Sequence, residues 1–163
     1  MNRRRTGWLL AWSLVALSGC ATPPRPPPAG NENGPWSGRL ALQIKDQASQ
    51  SFAAMFELQG TAQAGELTLA SPLGGILAVL AWAPGSATLR SNGQTRSFPS
   101  VDALVTQATG AAIPLAALFD WLRGRDTPVP GWRANLTQLA QGRISAVRHD
   151  PQPEADLRVA LDR

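Results

Sequence analysis

From residue 36 onward, apolar and polar residues alternate with a period of two along much of the chain. Over residues 39–45 the alternation sends Leu40, Leu42 and Ile44 to one side and Arg39, Gln43 and Lys45 to the other, the mark of a half-buried strand. Residues 51–58 repeat it with Phe52, Ala54, Phe56 and Leu58. A third strand is predicted around Leu67-Thr68-Leu69, joined to the second through Gly60-Thr61-Ala62-Gln63-Ala64-Gly65. Residues 76–82 are apolar on both faces. Pro84-Gly85 marks a turn into a short strand at 87–90, and Asn92-Gly93 is a tight-hairpin signal into 94–98. Successive hairpins make an antiparallel sheet with one apolar face, and that face requires a cover.

Two helices can supply it. Ser100 is placed to cap the first, with Asp102 in its opening turn; Val101, Leu104, Val105 and Ala108 fall at helical spacing, and Gly110 ends it. Pro114 opens a second, in which Leu115, Leu118, Phe119 and Leu122 share a face until Gly124. Residues 125–131 read as a loop, and 143–148 and 157–161 as further strands.

The amino terminus follows another pattern. Arg3, Arg4 and Arg5 precede an apolar run of about ten residues, too short to span a bilayer core of ~30 Å as a helix and suited to an export signal. The run ends in Leu17-Ser18-Gly19-Cys20, which holds the chain's single cysteine and resembles the lipobox of bacterial lipoproteins. That likeness implies cleavage after residue 19 and acylation of Cys20, with Ser18 and Gly19 leaving room for a peptidase. Residues 20–35 are rich in Pro, Gly and Asn and carry no apolar period. Such a segment favours extended polyproline II and reads as a tether able to reach ~45 Å. Residues 36–163 are then a single domain.

Cleavage changes the charge picture. The whole chain has 15 basic and 11 acidic residues; without the first 19 it has 12 against 11, a net of +1. A near-balanced surface does not suit nucleic acid. The chemistry is equally sparse, with one histidine, no tyrosine, no Gly-x-Ser-x-Gly elbow, no His-Glu-x-x-His and no phosphate loop. His149 stands in a turn beside Asp150-Pro151 and reads as a surface residue. No catalytic residue, metal site or cofactor is expected. A lipid-anchored binding protein, a structural or assembly lipoprotein and an enzyme with an unrecognised site all remain open on the residues alone.

Three strings favour the first. Ser71-Pro72-Leu73-Gly74-Gly75, Thr109-Gly110-Ala111-Ala112-Ile113-Pro114-Leu115 and Leu118-Phe119-Asp120-Trp121-Leu122-Arg123-Gly124, preceded by Trp36-Ser37-Gly38-Arg39-Leu40, resemble the LolB family of outer-membrane lipoprotein receptors in order and separation. The resemblance implies a mainly β fold, an incomplete antiparallel β-barrel whose strongly curved sheet is covered by a lid of short α-helices over an apolar cavity. It implies a monomer on the periplasmic face of the outer membrane, held there by its acyl anchor. Such a protein accepts acylated lipoprotein cargo from the soluble carrier LolA and inserts it without ATP. Ala21, in place of the Asp that retains lipoproteins at the inner membrane in enterobacterial-type sorting, agrees with that location.

By position, Pro72, Leu73 and Gly74 match the family's membrane-insertion loop, and Trp121 matches a lid tryptophan that faces the cavity. Periodicity adds Leu42, Ile44, Phe56, Leu58, Leu80, Trp82, Leu118 and Leu122 as candidate lining for acyl chains. Leu58 stands where some relatives carry tryptophan. Beyond Gly124 the resemblance leaves the number of strands open.

Overall fold

The computed structural model describes residues 34–46 and 51–162; the signal segment, Cys20 and nearly all of the tether lie outside them. Nine strands form one sheet: β1 (Trp36–Ile44), β2 (Phe52–Gly60), β3 (Gly65–Ala70), β4 (Ile76–Ala83), β5 (Ser86–Ser91), β6 (Gln94–Phe98), β7 (Trp132–Asn135), β8 (Arg143–Arg148) and β9 (Ala155–Leu161). Their order is β6-β5-β4-β3-β2-β1-β9-β8-β7. Every pairing is antiparallel, and β6 and β7 are left as unpaired edges, so the barrel is incomplete.

Strands β1 to β6 are a meander in which each strand pairs with the next, and from β2 onward the connections are short turns. Gly85 and Gly93 take positive φ values of 75° and 74° in two of these turns, a backbone that residues with a Cβ adopt only at a cost. The β3–β4 ladder carries a register shift between Leu69 and Ala70, where β4 holds an extra residue. Such a bulge bends and twists the sheet locally. The second half of the sheet depends on a long-range pairing, because β9 lies along β1 with Gly38 opposite Leu161 and Ile44 opposite Ala155. That seam brings β8 and β7 into register with the meander.

Two helices cover the inner face, α1 (Val101–Thr109) and α2 (Leu115–Leu122). Ser100 caps α1 by accepting the Ala103 N–H at 3.1 Å, and Gly110, at φ 72°, ends it by donating its N–H to the Thr106 carbonyl at 2.9 Å. Pro114 starts α2 without a side-chain cap. Leu104 and Val105 of α1 and Phe119, Trp121 and Leu122 of α2 are buried against the inward residues of the sheet. The face opposite is the wetter one: along β1, Leu42 and Ile44 are buried while Arg39 and Gln43 are exposed.

Sequence and structure differ mainly after α2. The chain at Trp132–Asn135 pairs with β8 as β7, and a 3-10 turn at Leu139–Gln141 follows, where the sequence showed no element. Four residues are too few to establish a period, and only Trp132 among them is buried. At the other end, β1 begins at Trp36, three residues before its alternation does, because Gly38 interrupts the pattern.

Gly38 is required where it stands. A Cβ there would lie 2.0 Å from the Ala160 carbonyl oxygen across the β1–β9 seam, and backbone atoms cannot step aside as a side chain can. Gly38→Ala is therefore expected to lower unfolding stability by about 3 kcal/mol. Gly85→Ala, where a Cβ meets nothing within 4 Å and only the positive φ is penalised, should lose about 1 kcal/mol. Urea denaturation of the two variants beside the parent measures both, and equal losses would contradict the seam argument.

Candidate functional site

The segment between β3 and β4 is a stiff protrusion. The Ser71 N–H donates to the Gly75 carbonyl at 2.8 Å, the Gly74 N–H to the Ser71 carbonyl at 2.9 Å, and the Gly75 N–H to the Ser71 hydroxyl at 3.1 Å. Pro72 presets the first central position of the resulting turn, and Gly74 takes the positive φ of 85° that closes it. Leu73 at the tip is 98% exposed. An isolated exposed leucine is ordinary. Here, however, the exposed large apolar side chains among the described residues are Leu73, Ile76 and Leu77, gathered within five consecutive positions. Ile76 and Leu77 escaped the sequence reading because a run apolar on both faces looks like a fully buried strand; the bulge next to Ala70 turns its first two residues to solvent.

Beneath the helices lies a narrow apolar cavity of about 50 Å³. On the sheet side Phe56 and Leu58 of β2, Leu67 and Leu69 of β3, and Leu80 of β4 line it, with Leu157 and Val159 from β9. The helical side contributes Val105 and Thr109 of α1, Ile113 of the connector, and Leu115, Leu118 and Leu122 of α2. Thr109 is the polar member, and its hydroxyl is satisfied within the helix end, where the carbonyls of Val105 and Ala111 both stand 2.8 Å away as alternative acceptors for its single proton. The cavity thus presents carbon on every side, and it is narrow.

Of the nominated lining residues, Phe56, Leu58, Leu80, Leu118 and Leu122 meet at this cavity; Leu42, Ile44, Trp82 and Trp121 are buried in the surrounding core. The Trp121 ring lies 6.3 Å from that of Trp132, and its indole N–H donates to the Thr127 carbonyl at 3.1 Å. Trp82 donates its indole N–H to the Thr61 carbonyl at 2.9 Å and meets Phe119 edge-on. Each indole has one polar atom to satisfy, and the available carbonyls stand away from the cavity. His149 is exposed. No group of three or more His, Cys, Asp or Glu side chains that could hold a metal occurs among the described residues.

The end of α2 is braced on its polar side by the loop that follows it. Asp120 on α2 accepts hydrogen bonds from Arg125 and from the Thr127 hydroxyl, the latter at 2.8 Å, with Arg123 at 3.8 Å. The Arg125 hydrogen bond, then that of Thr127, holds the Asp120 carboxyl below the usual carboxylate range. Arg123 also lies over the rings of Phe119 and Trp36 at 5.5 and 5.6 Å, tying α2 to the first residue of β1.

An open antiparallel half-barrel with a helical lid over a carbon-lined interior and an apolar finger beside it defines the class. The family model described as outer membrane lipoprotein LolB matches residues 35–155. The chain is 34% identical over 155 residues to an outer-membrane lipoprotein LolB of Bordetella petrii, covering 90% of this chain and 75% of that one. It is also 34% identical over 157 residues to a LolB of Cupriavidus pinatubonensis, covering 92% and 75%, and 32% identical over 154 residues to that of Cupriavidus metallidurans, covering 91% and 74%. This chain belongs to the LolB family. It is an outer-membrane lipoprotein with a role in lipoprotein localization, and not an enzyme.

The Asp120 clamp has a definite pH signature. Because the folded carboxyl titrates below its unfolded counterpart, its stabilising contribution is complete above the unfolded value of about 3.9 and disappears as pH falls through the folded value. Asp120→Asn should cost about 1 kcal/mol at pH 7. The gap to the parent should shrink below about pH 4, as read by urea unfolding across pH. A gap that stays constant down to pH 2 would show that ionisation of Asp120 is not what holds the clamp.

Proposed function

We propose that this chain is the receptor at the end of a lipoprotein delivery route: it takes acylated proteins from the soluble carrier LolA, holds their acyl chains under its lid, and passes them into the outer membrane without nucleotide. Cys20, outside the described residues, carries its own acyl anchor, and residues 20–35 form the tether. The observation that carries the reading is the pairing of a carbon-lined, lidded interior with a fully exposed leucine on a rigid turn.

The energetics support it. An acyl chain left in water costs about 0.8 kcal/mol per CH₂, so cargo must pass from one apolar container to another. The closed cavity of about 50 Å³ is too small for such a chain. Loading therefore separates α1 and α2 from the sheet, and the cost of that separation weakens the net hold on cargo. A container that prefers to be shut gives its contents up readily to a bilayer, which drives transfer by a difference in affinity and not by hydrolysis. Leu73, Ile76 and Leu77 supply the approach to the membrane. Corrected for partial exposure, their burial is worth roughly 3 to 6 kcal/mol, enough for contact and too little for permanent insertion.

In a transfer assay with labelled lipoprotein loaded on LolA, Leu73→Glu should accept cargo as the parent does and then fail to release it to vesicles, with insertion reduced at least about tenfold because a charge is costly in hydrocarbon. Ile76→Ser together with Leu77→Ser should give a smaller loss. Undiminished insertion by Leu73→Glu would refute the insertion reading; failure of the parent protein to accept acylated cargo at all would refute the receptor reading.

A further inference from the structure

A wide groove lies on the opposite side of the sheet from the lid. Strands β2, β1, β9 and β8 enclose a groove of about 730 Å³ on their outer face, and Pro72, at the base of the exposed turn, forms part of its wall. Its floor is small and apolar, with Ala41, Ala53, Met55 and Ala160; its charged side chains are Arg39, Arg143, Arg158 and Asp156. Asp156 is engaged by Arg158 at 2.7 Å. Arg39 and Arg143 are exposed and have no carboxylate partner among the described residues.

The strand register aligns these features. Arg143 is opposite Ala160, Ala160 opposite Arg39, Arg39 opposite Met55, and Met55 opposite Ala70, the last residue before the turn that presents Leu73. At about 4.8 Å per strand, the two free arginines stand roughly 10 Å apart across one alanine, and Arg39 stands about the same distance from the root of the turn. The headgroup layer of a bilayer is roughly 5 to 7 Å deep on each side. With Leu73 in the hydrocarbon and this row lying parallel to the bilayer surface, both arginines meet the headgroup layer, where arginine pairs with phosphate in two-pronged fashion.

We propose that the outer-face groove is a headgroup-binding surface for anionic phospholipid of the target bilayer, with Arg39 and Arg143 holding the phosphate while the Leu73 turn enters the hydrocarbon. The inference rests on the insertion reading above and adds to it a lipid preference and an orientation: the outer face of β1 and β9 leans toward the membrane, and the lid side faces away from it. Charge favours lipid over an acidic protein surface here, because the same groove runs into the apolar turn, and a headgroup lying above hydrocarbon offers both characters in that order.

The test uses the lipid-anchored protein reconstituted in vesicles of phosphatidylcholine alone or with phosphatidylglycerol. Arginine modification by phenylglyoxal is followed site by site by mass spectrometry. Modification of Arg39 and Arg143 should slow by about fivefold or more in the anionic vesicles, the change expected for one basic side chain near such a surface. Arg96, on the far edge strand β6, should react equally in both. In the same vesicles, Arg39→Gln with Arg143→Gln should abolish whatever gain in cargo insertion phosphatidylglycerol confers, leaving insertion into neutral vesicles unchanged.

Equal labelling in the two vesicle types would overturn the proposal. So would protection by inorganic phosphate in neutral vesicles, which makes the groove a free-anion site, or protection there by added LolA, which makes it a protein-docking face. Leu73→Glu run alongside keeps the two readings apart: if it inserts normally the insertion reading falls, whereas insertion that needs Leu73 without arginine protection removes the headgroup site alone.

Discussion

A sheet whose inner face is carbon from β5 across to β8 cannot be left open in water, since a contiguous apolar surface of that size binds whatever apolar matter it meets. Covering that face is the constraint from which the rest of the molecule follows. The curvature of the sheet creates the hollow, and two helices of nine and eight residues close it with Leu104, Val105, Phe119 and Leu122. The cover is close-fitting without being seamless, and the space of about 50 Å³ beneath it shows where lid and sheet meet less tightly than the flanking aromatic clusters. A lid held by carbon contacts on one side and by the Asp120 and Arg123 interactions on the other can leave without breaking the sheet, because none of the strand ladders passes through it.

The same constraint explains why exposed apolar groups are concentrated. Among the described residues, the exposed large apolar side chains are confined to one place, where the register shift between Leu69 and Ala70 delivers Ile76 and Leu77 to solvent and the adjoining turn lifts Leu73 clear of the body. The outer face next to this finger carries arginine, alanine and methionine in place of bulky side chains. Interior, finger and basic groove are thus three consequences of how one sheet divides its residues between two faces and one irregular edge of the β3–β4 ladder.

Much of this was legible along the chain. Strict alternation identified β1 and β2, Asn92-Gly93 located the β5–β6 hairpin, Ser100 and Gly110 bracketed α1, and residues 143–148 were read as the strand they form. These signals are local: each depends on the side-chain period or on the backbone freedom of one or two residues. β7 was not legible, because its four residues owe their conformation to β8 beside them. Trp121 and Trp82 were nominated for the cavity and lie in the core around it, because the direction of an indole is decided by which carbonyl its N–H can reach, and those of Thr127 and Thr61 come from other parts of the chain.

By itself, then, the order of residues determined an antiparallel meander, two covering helices and an apolar inner face, since all three are written in spacings of a few residues, while the resemblance of residues 71–75 to the LolB family pointed to the turn that carries Leu73. Only the tertiary structure decided that β9 returns to lie along β1, that the bulge exposes Ile76 and Leu77, and that Arg39, Arg143 and Pro72 share one groove. These are matters of register between strands: the first and third join segments far apart in the chain, and the bulge is a shift between two neighbouring strands that no residue spacing announces. A one-residue slip in any ladder would send the same side chains to the other face.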